Sequence, residues 1–269
     1  MYIKEIVNKY LKLGHTFRNA QNLAAEEIVL SKIASSKLSE HVTLKGGIVM
    51  YNLSKSDRRV TQDIDFDFIR YSIDEDSVFI FVNKLNSIKD EIECKIYGKP
   101  EKLHHDEYKG VRVYLILKDK NKDKLKLKLD IGVHTHLSIE QKKLLFSFES
   151  GNKSVHIKAN STEQIFVEKL ITLGRLGSFT TRYKDLYDMY YLITQGLLEL
   201  GLVKEEIKLF LNSNNRKPNS INELFEVVVE TLNDDRFAKE ASKLIFKWVD
   251  VDYSSVKNEL IKFLENILE

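Results

Sequence analysis

The spacing of the apolar residues changes along this chain, and the last change limits the folds open to it. Between residues 42 and 157 most apolar residues alternate with polar ones, whereas from residue 161 onward they recur every third or fourth position. Side chains alternate across a strand and repeat about every 3.6 residues on a helix, so a sheet-containing part should precede a helical one. The first forty residues also read as helix. Ile3, Ile6, Val7, Tyr10 and Leu11 share helical spacing, and residues 20–38 resume it after a break at Gly14-His15.

Strands are expected at 42–47, 63–69, 92–97, 111–117 and 125–133, with a helix over 77–88. The last two strands flank the charged run from Lys118 to Lys124 and should form an antiparallel hairpin. A further pair is expected near 144–148 and 155–157, turning at Gly151-Asn152. Beyond it, Ser161-Thr-Glu-Gln164 and Ser220-Ile-Asn-Glu223 have capping-box spacing, Gly177 reads as a helix stop, and Trp248 as a core anchor. About five helices complete the chain. The expected fold class is α+β: a mixed sheet with flanking helices over residues 1–158, then a helical bundle domain over 159–269.

Composition excludes several classes. A chain of 269 residues, 43% hydrophobic, can bury a core, and wholesale disorder is excluded. A single Cys rules out a disulfide framework and fits a reducing cytoplasm. The opening residues lack an apolar signal core, and no apolar run approaches the roughly 20 residues that span a bilayer. The net charge of +2 is unevenly divided. Residues 1–158 hold 28 basic and 22 acidic side chains, and residues 159–269 hold 14 and 18. A polyanion would prefer the first part, although lysine-rich sequences also solvate themselves with lysine.

The segment with most chemistry runs from Leu44-Lys-Gly-Gly-Ile48 to Arg59-Val-Thr-Gln-Asp-Ile-Asp-Phe-Asp67. Glycines between a strand and a helix let backbone N–H groups approach a phosphate. Strand alternation places Asp63, Asp65 and Asp67 on one face, where like charges repel. A divalent cation would relieve that repulsion, and oxygen-only ligands select Mg²⁺ or Mn²⁺. In the strand ending Lys128-Leu-Asp130, Asp130 shares a face with Lys124, Lys126 and Lys128 and offers a third carboxylate. Arg59 and Thr61 lie close enough in sequence to touch a phosphate. His104-His105 and His134-x-His136 lack a third ligand at metal spacing, so strand-end or loop roles are expected for them.

Four motifs in this order resemble the AbiEii/AbiGii-type toxins within the nucleotidyltransferase superfamily. The first is Gly46-Gly47 with Asp63-Ile-Asp65, where Gly47 replaces a serine and the spacing is longer than the tightest form of the pattern. The others are Lys128-Leu-Asp130, Lys169 with Thr180-Thr-Arg182, and Asp185-Leu-Tyr-Asp188. The resemblance covers residues 44–188. It implies a nucleotidyltransferase-like sheet domain, and an Mg²⁺-dependent enzyme that moves a nucleotide from an NTP to a hydroxyl of an acceptor such as tRNA. It further implies a growth-inhibiting cytoplasmic toxin with a cognate antitoxin. Asp63 and Asp65 would bind metal, and Asp130 would be a ligand or a base. Asp185 would act in catalysis. Gly46, Gly47, Arg59, Thr61, Lys128, Lys169, Arg182 and Asp188 would serve the nucleotide. The edges carrying Asp63, Asp65 and Asp130 and those carrying Lys169 and Asp185 would then share one site. Two other readings use the same acids, a metal-dependent nuclease and a binding module without chemistry.

Overall fold

The computed structural model describes residues 2–70, 73–88, 90–105, 108–136, 138–148, 153–213 and 218–268, with only the backbone given at residues 75, 104, 105, 108 and 109. Its sheet is built from β1 (Val42–Lys45), β2 (Asp63–Phe68), β3 (Ile92–His105), β4 (Tyr108–Asp119), β5 (Lys124–Val133), β6 (Lys142–Phe148) and β7 (Lys153–Ala159). The strand order is β3-β4-β5-β2-β1-β7-β6. β2 runs parallel to β5, and β1 parallel to β7; the remaining pairs are antiparallel.

Alternation in β2 and β5 decides what each sheet face does. Ile64, Phe66, Leu127, Leu129 and Ile131 are buried on one face. There α4 (Glu75–Asn86) sets Phe81 5.2 Å from Phe66 and 5.5 Å from Phe68, ring centre to ring centre. Each such side chain contributes roughly 1.5–3 kcal/mol relative to exposure. The opposite face receives every polar residue of the same strands, and the aspartates with them.

The expected β4–β5 hairpin is present, with Lys118 opposite Lys124. β6 and β7 pair as expected, while Gly151-Asn152 lies outside the described residues. Several boundaries differ from the sequence reading: β1 stops at Lys45, α4 begins and ends two residues earlier, and β4 is longer at both ends. β3 continues past Tyr97 to His105, because a register shift between Tyr97 and Glu101 absorbs the Gly98–Pro100 interruption. The first forty residues form α1 (Ile3–Lys12) and α2 (Phe17–Ala34), followed by a 3₁₀ turn at Lys37–Glu40 rather than helix to residue 38. At that break the Ser36 hydroxyl donates to the Ile33 carbonyl and accepts from Leu38 N–H, which competes with the helical ladder. A short α3 (Gly47–Ser54) follows β1 directly.

The chain divides into two compact units, residues 1–160 and 161–269. The second contains α5 (Thr162–Leu176), α6 (Lys184–Thr194), α7 (Leu200–Asn212), α8 (Ile221–Asn233), α9 (Asp235–Ala241) and α10 (Tyr253–Leu268). The helix beyond the expected five is the seven-residue α9, too short to show a period; its cap Asp234 accepts from Phe237 N–H at 2.7 Å. The Ser161 and Ser220 hydroxyls cap α5 and α8. Gly174 lets α5 and α8 approach closely, since a Cβ there would fall 2.2 Å from Leu224 Cδ1. No helix among the described residues is long and apolar enough to cross a membrane.

Candidate active site

β1, β2 and β5 meet at the polar face of the sheet. Their register sets Lys45 opposite Asp65, Asp63 beside Lys128, and Asp65 beside Asp130. One carboxylate oxygen each from Asp63, Asp65 and Asp130 falls within 4.8 Å of the others. Among the described residues this is a group whose chemistry suits a hard divalent cation, with oxygen donors alone.

The glycine pair lies against this cluster. Gly46 caps α3 with φ +63° and ψ −134°, a conformation that side chains disfavour. A Cβ there would fall 2.9 Å from Asp65 Oδ2, and one at Gly47 would fall 2.9 Å from Thr61 Oγ1 and 3.2 Å from Arg59 Nη1. The space beside the carboxylates exists because both positions lack side chains. It adjoins the N-terminus of α3, whose backbone N–H groups favour anions. Arg59 and Thr61 are both buried. The Thr61 hydroxyl donates to Asp63 Oδ1 at 2.8 Å, so it orients an aspartate.

Cationic side chains balance the cluster. Lys128 Nζ lies 2.6 Å from Asp63 Oδ2. Burial pushes the Asp63 carboxyl up, but hydrogen bonds from Lys128 and Thr61 outweigh that and hold it below the usual carboxylate range. Arg112 of β4 grips Asp130 with two bonds of 2.8 Å, and that contact raises the affinity of its guanidinium for the proton. Asp67 faces the same way but is paired with Lys45 at 2.8 Å and is buried outside the group of three. Glu26 of α2 is 4% exposed, with no hydrogen-bond partner for its Oε1 among the described residues. Burial, and secondly the charge of Asp63, push its carboxyl well above the ordinary range.

Sequence reasoning had passed over Arg112, Lys45 and Glu26. Arg112 left a signal: six residues back along each strand from Lys118↔Lys124 lie Arg112 and Asp130. The sequence offers no such signal for Lys45 or Glu26. His134 is buried just past β5, where burial lowers its pKa, while the side chains of His104 and His105 lie outside what is described.

The second unit brings the other predicted residues together. Lys169 of α5 contacts Asp185 of α6 and lies 2.9 Å from Asp188 Oδ2. Arg182 binds the other oxygen of Asp185 at 2.6 Å. For Asp185, burial raises the carboxyl pKa, yet Lys169 and Arg182 together lower it below the ordinary value. Lys169 is only 5% exposed and Asp188 is 0% exposed. Trp248 Nε1 donates to Asp188 Oδ1 at 2.9 Å. The sequence reading expected Asp188 at the nucleotide. Its carboxylate is buried, with Lys169 on one oxygen and Trp248 on the other. Two tyrosines of α6, Tyr187 and Tyr191, are packing groups. Tyr187 is wholly buried with its hydroxyl on the Ala241 carbonyl, and the Tyr191 ring lies tilted 47° against Trp248 at 5.1 Å between centres.

A family model described as "Nucleotidyl transferase AbiEii toxin, Type IV TA system" matches residues 28–259. The chain belongs to the AbiEii nucleotidyltransferase toxin family. The match takes in both the aspartate cluster and the Lys169 network of this AbiEii-family chain. The chain is also similar to the crystal structure of an antigenic nucleotidyltransferase-like protein from Paracoccidioides brasiliensis, with a TM-score of 0.40 and 15% identity. That likeness covers 72% of this chain and 91% of the other. No curated protein matches significantly.

Proposed function

We propose that this AbiEii-family chain is a metal-dependent nucleotidyltransferase that moves a nucleotide from an NTP to an acceptor hydroxyl, releasing pyrophosphate. The observation that carries the reading is the convergence of Asp63, Asp65 and Asp130 beside the Gly46-Gly47 entry to α3. Carboxylates beside an anion-favouring helix start suit a triphosphate with its counter-cation. Asp63, Asp65 and Asp130 would hold Mg²⁺ or Mn²⁺, which when bound supplies charge neutralisation to the phosphates. Thr61 and Lys128 orient Asp63, and Arg112 orients Asp130. Asp130 also serves as the candidate base for the incoming hydroxyl. Lys169 is the proposed triphosphate contact, Asp185 its partner, which Arg182 also binds, and Asp188 its buried anchor.

RNA, such as tRNA, is the proposed acceptor, and growth inhibition relieved by a cognate antitoxin the proposed outcome. The sheet-containing residues 1–158 would form the catalytic domain and 159–269 the helical domain of a cytoplasmic protein. The test incubates the protein with labelled NTPs, Mg²⁺ and total tRNA beside an Asp63→Ala/Asp65→Ala variant. Label should reach RNA with the wild type alone; equal transfer by both would reject the proposal. RNA degradation without added NTP would point instead to a nuclease.

A further inference from the structure

The sheet face that bears the aspartates continues outward across β5, β4 and β3. Paired residues share a face, so Asp130, Arg112 and Glu101 form one row, and Lys128, Tyr114 and Tyr97 the next. Further rows set Lys126 beside Ile116 and Lys95, then Lys124 beside Lys118 and Glu93. The underside of these strands is the buried core, whereas Lys95, Lys124 and Lys126 are exposed. Lysines therefore outnumber acids as the strip leaves the metal-type cluster. Glu93 is drawn to Lys95 at 3.1 Å.

Tyr97 stands in this strip 56% exposed, with Lys126 Nζ 5.3 Å from its ring centre. Its place follows from the backbone: it is the last residue paired before the register shift of β3, two strands from Lys128. Two strand spacings, about 10 Å or one to two nucleotides, separate it from Lys128, and Asp63 lies one strand further on. An exposed ring on a sheet face offers a stacking platform to an unpaired base, and flanking ammonium groups meet the backbone phosphates. Bases within a duplex cannot reach such a ring.

We propose that the strip formed by Tyr97, Lys95, Lys118, Lys124 and Lys126 seats the single-stranded 3′ end of an RNA acceptor, one base stacking on Tyr97 while the terminal hydroxyl reaches the aspartates. This rests on the proposed transferase reading and adds to it where and in what form the acceptor binds. Positive charge on the strip matches the phosphate backbone, and the exposed aromatic selects single strands over duplex.

The experiment measures fluorescence anisotropy of a short labelled oligoribonucleotide titrated with the whole protein. A DNA strand of the same sequence and a blunt RNA duplex serve as further probes. The variants are Tyr97→Ala, Tyr97→Phe and Lys126→Ala. All three are surface changes, and circular dichroism melts check their folding. The single RNA strand should bind best. Tyr97→Ala should weaken it about tenfold, while Tyr97→Phe retains the affinity. Lys126→Ala should lower the slope of log affinity against log salt by about 0.7. Wild-type affinity in both alanine variants overturns the proposal, as does a duplex or DNA strand that binds as tightly as the RNA strand. Mn²⁺ binding to the wild type, read by electron paramagnetic resonance, separates the two claims. Binding of Mn²⁺ without oligonucleotide discrimination removes the strip alone; absence of Mn²⁺ binding removes the transferase reading, whatever the oligonucleotide does.

Discussion

Removing the Asp188 carboxylate tests whether the helical unit is organised around its buried charges. Asp188 is 0% exposed and is held by Lys169 and Trp248, each at 2.9 Å. In Asp188→Ala, Lys169 stays buried with Asp185 as its remaining anion among the contacts described above, and the indole N–H loses its acceptor. Breaking a buried pair by removing one partner costs about 3–5 kcal/mol. Because Asp185 still faces Lys169, the low end applies, about 3 kcal/mol. For a unit of this size 1 kcal/mol shifts the melting temperature by roughly 4 °C, so a fall of about 12 °C is expected. Differential scanning calorimetry reads it directly. Asp188→Asn keeps an acceptor for Trp248 and should lose about half as much. Lys169→Met combined with Asp188→Leu removes both charges and should cost less than Asp188→Ala alone. A melting temperature for Asp188→Ala within about 2 °C of wild type, or a double variant equal to the sum of its singles, would refute the reasoning.

Three further outcomes follow from the geometry. Gly46→Ala forces a side chain into φ +63° and against Asp65 Oδ2. It should cost about 1–2 kcal/mol in denaturant titrations and weaken Mn²⁺ binding, whereas unchanged Mn²⁺ affinity would show that Asp65 is not a ligand. Arg112→Ala strips the bidentate counter-charge from Asp130. The bare carboxylates should then gain more from a cation, so Mn²⁺ should raise the melting temperature of the variant more than that of the wild type. Equal shifts would count against the cluster as a cation site. Burial first, and then Glu163 and Glu168, raise the Glu206 carboxyl to about 7. An unfolded glutamate ionises near pH 4.3, so the folded state holds the proton longer and stability falls as pH rises between those values. Glu206→Gln should therefore melt higher than wild type at pH 8 and alike at pH 4. A constant difference across that range would exclude Glu206 as the titrating group.

Local patterns carried much of the fold. The alternation in Asp63-Ile-Asp-Phe-Asp-Phe68 placed the aspartates on one face before any neighbour was known, and the charged turn of Lys118–Lys124 announced the β4–β5 hairpin. Boundaries were less legible where one side chain competes with the backbone, as Ser36 does, or where a register shift carries a strand past Gly98 and Pro100. The site was legible as a set of carboxylates and only partly as a geometry. Nothing in the spacing separates Asp67, which Lys45 holds, from Asp63 and Asp65, which remain with Asp130.

The amino-acid sequence by itself determined which residues could share a face, because a period of two or of about 3.6 is a property of a single strand or helix. It determined the four motifs as well, and through them the family resemblance. Pairing between segments distant in the chain was decided only by the tertiary structure. β2 lies parallel to β5, which brings Asp130 to Asp65, and the Trp248 indole reaches back to Asp188. Burial was decided there too: Asp185 and Asp188 are three residues apart on one helix, yet packing leaves the first at the surface of the network and seals the second beneath it. A carboxylate's role depends on the groups packed against it, and the local sequence does not specify those groups.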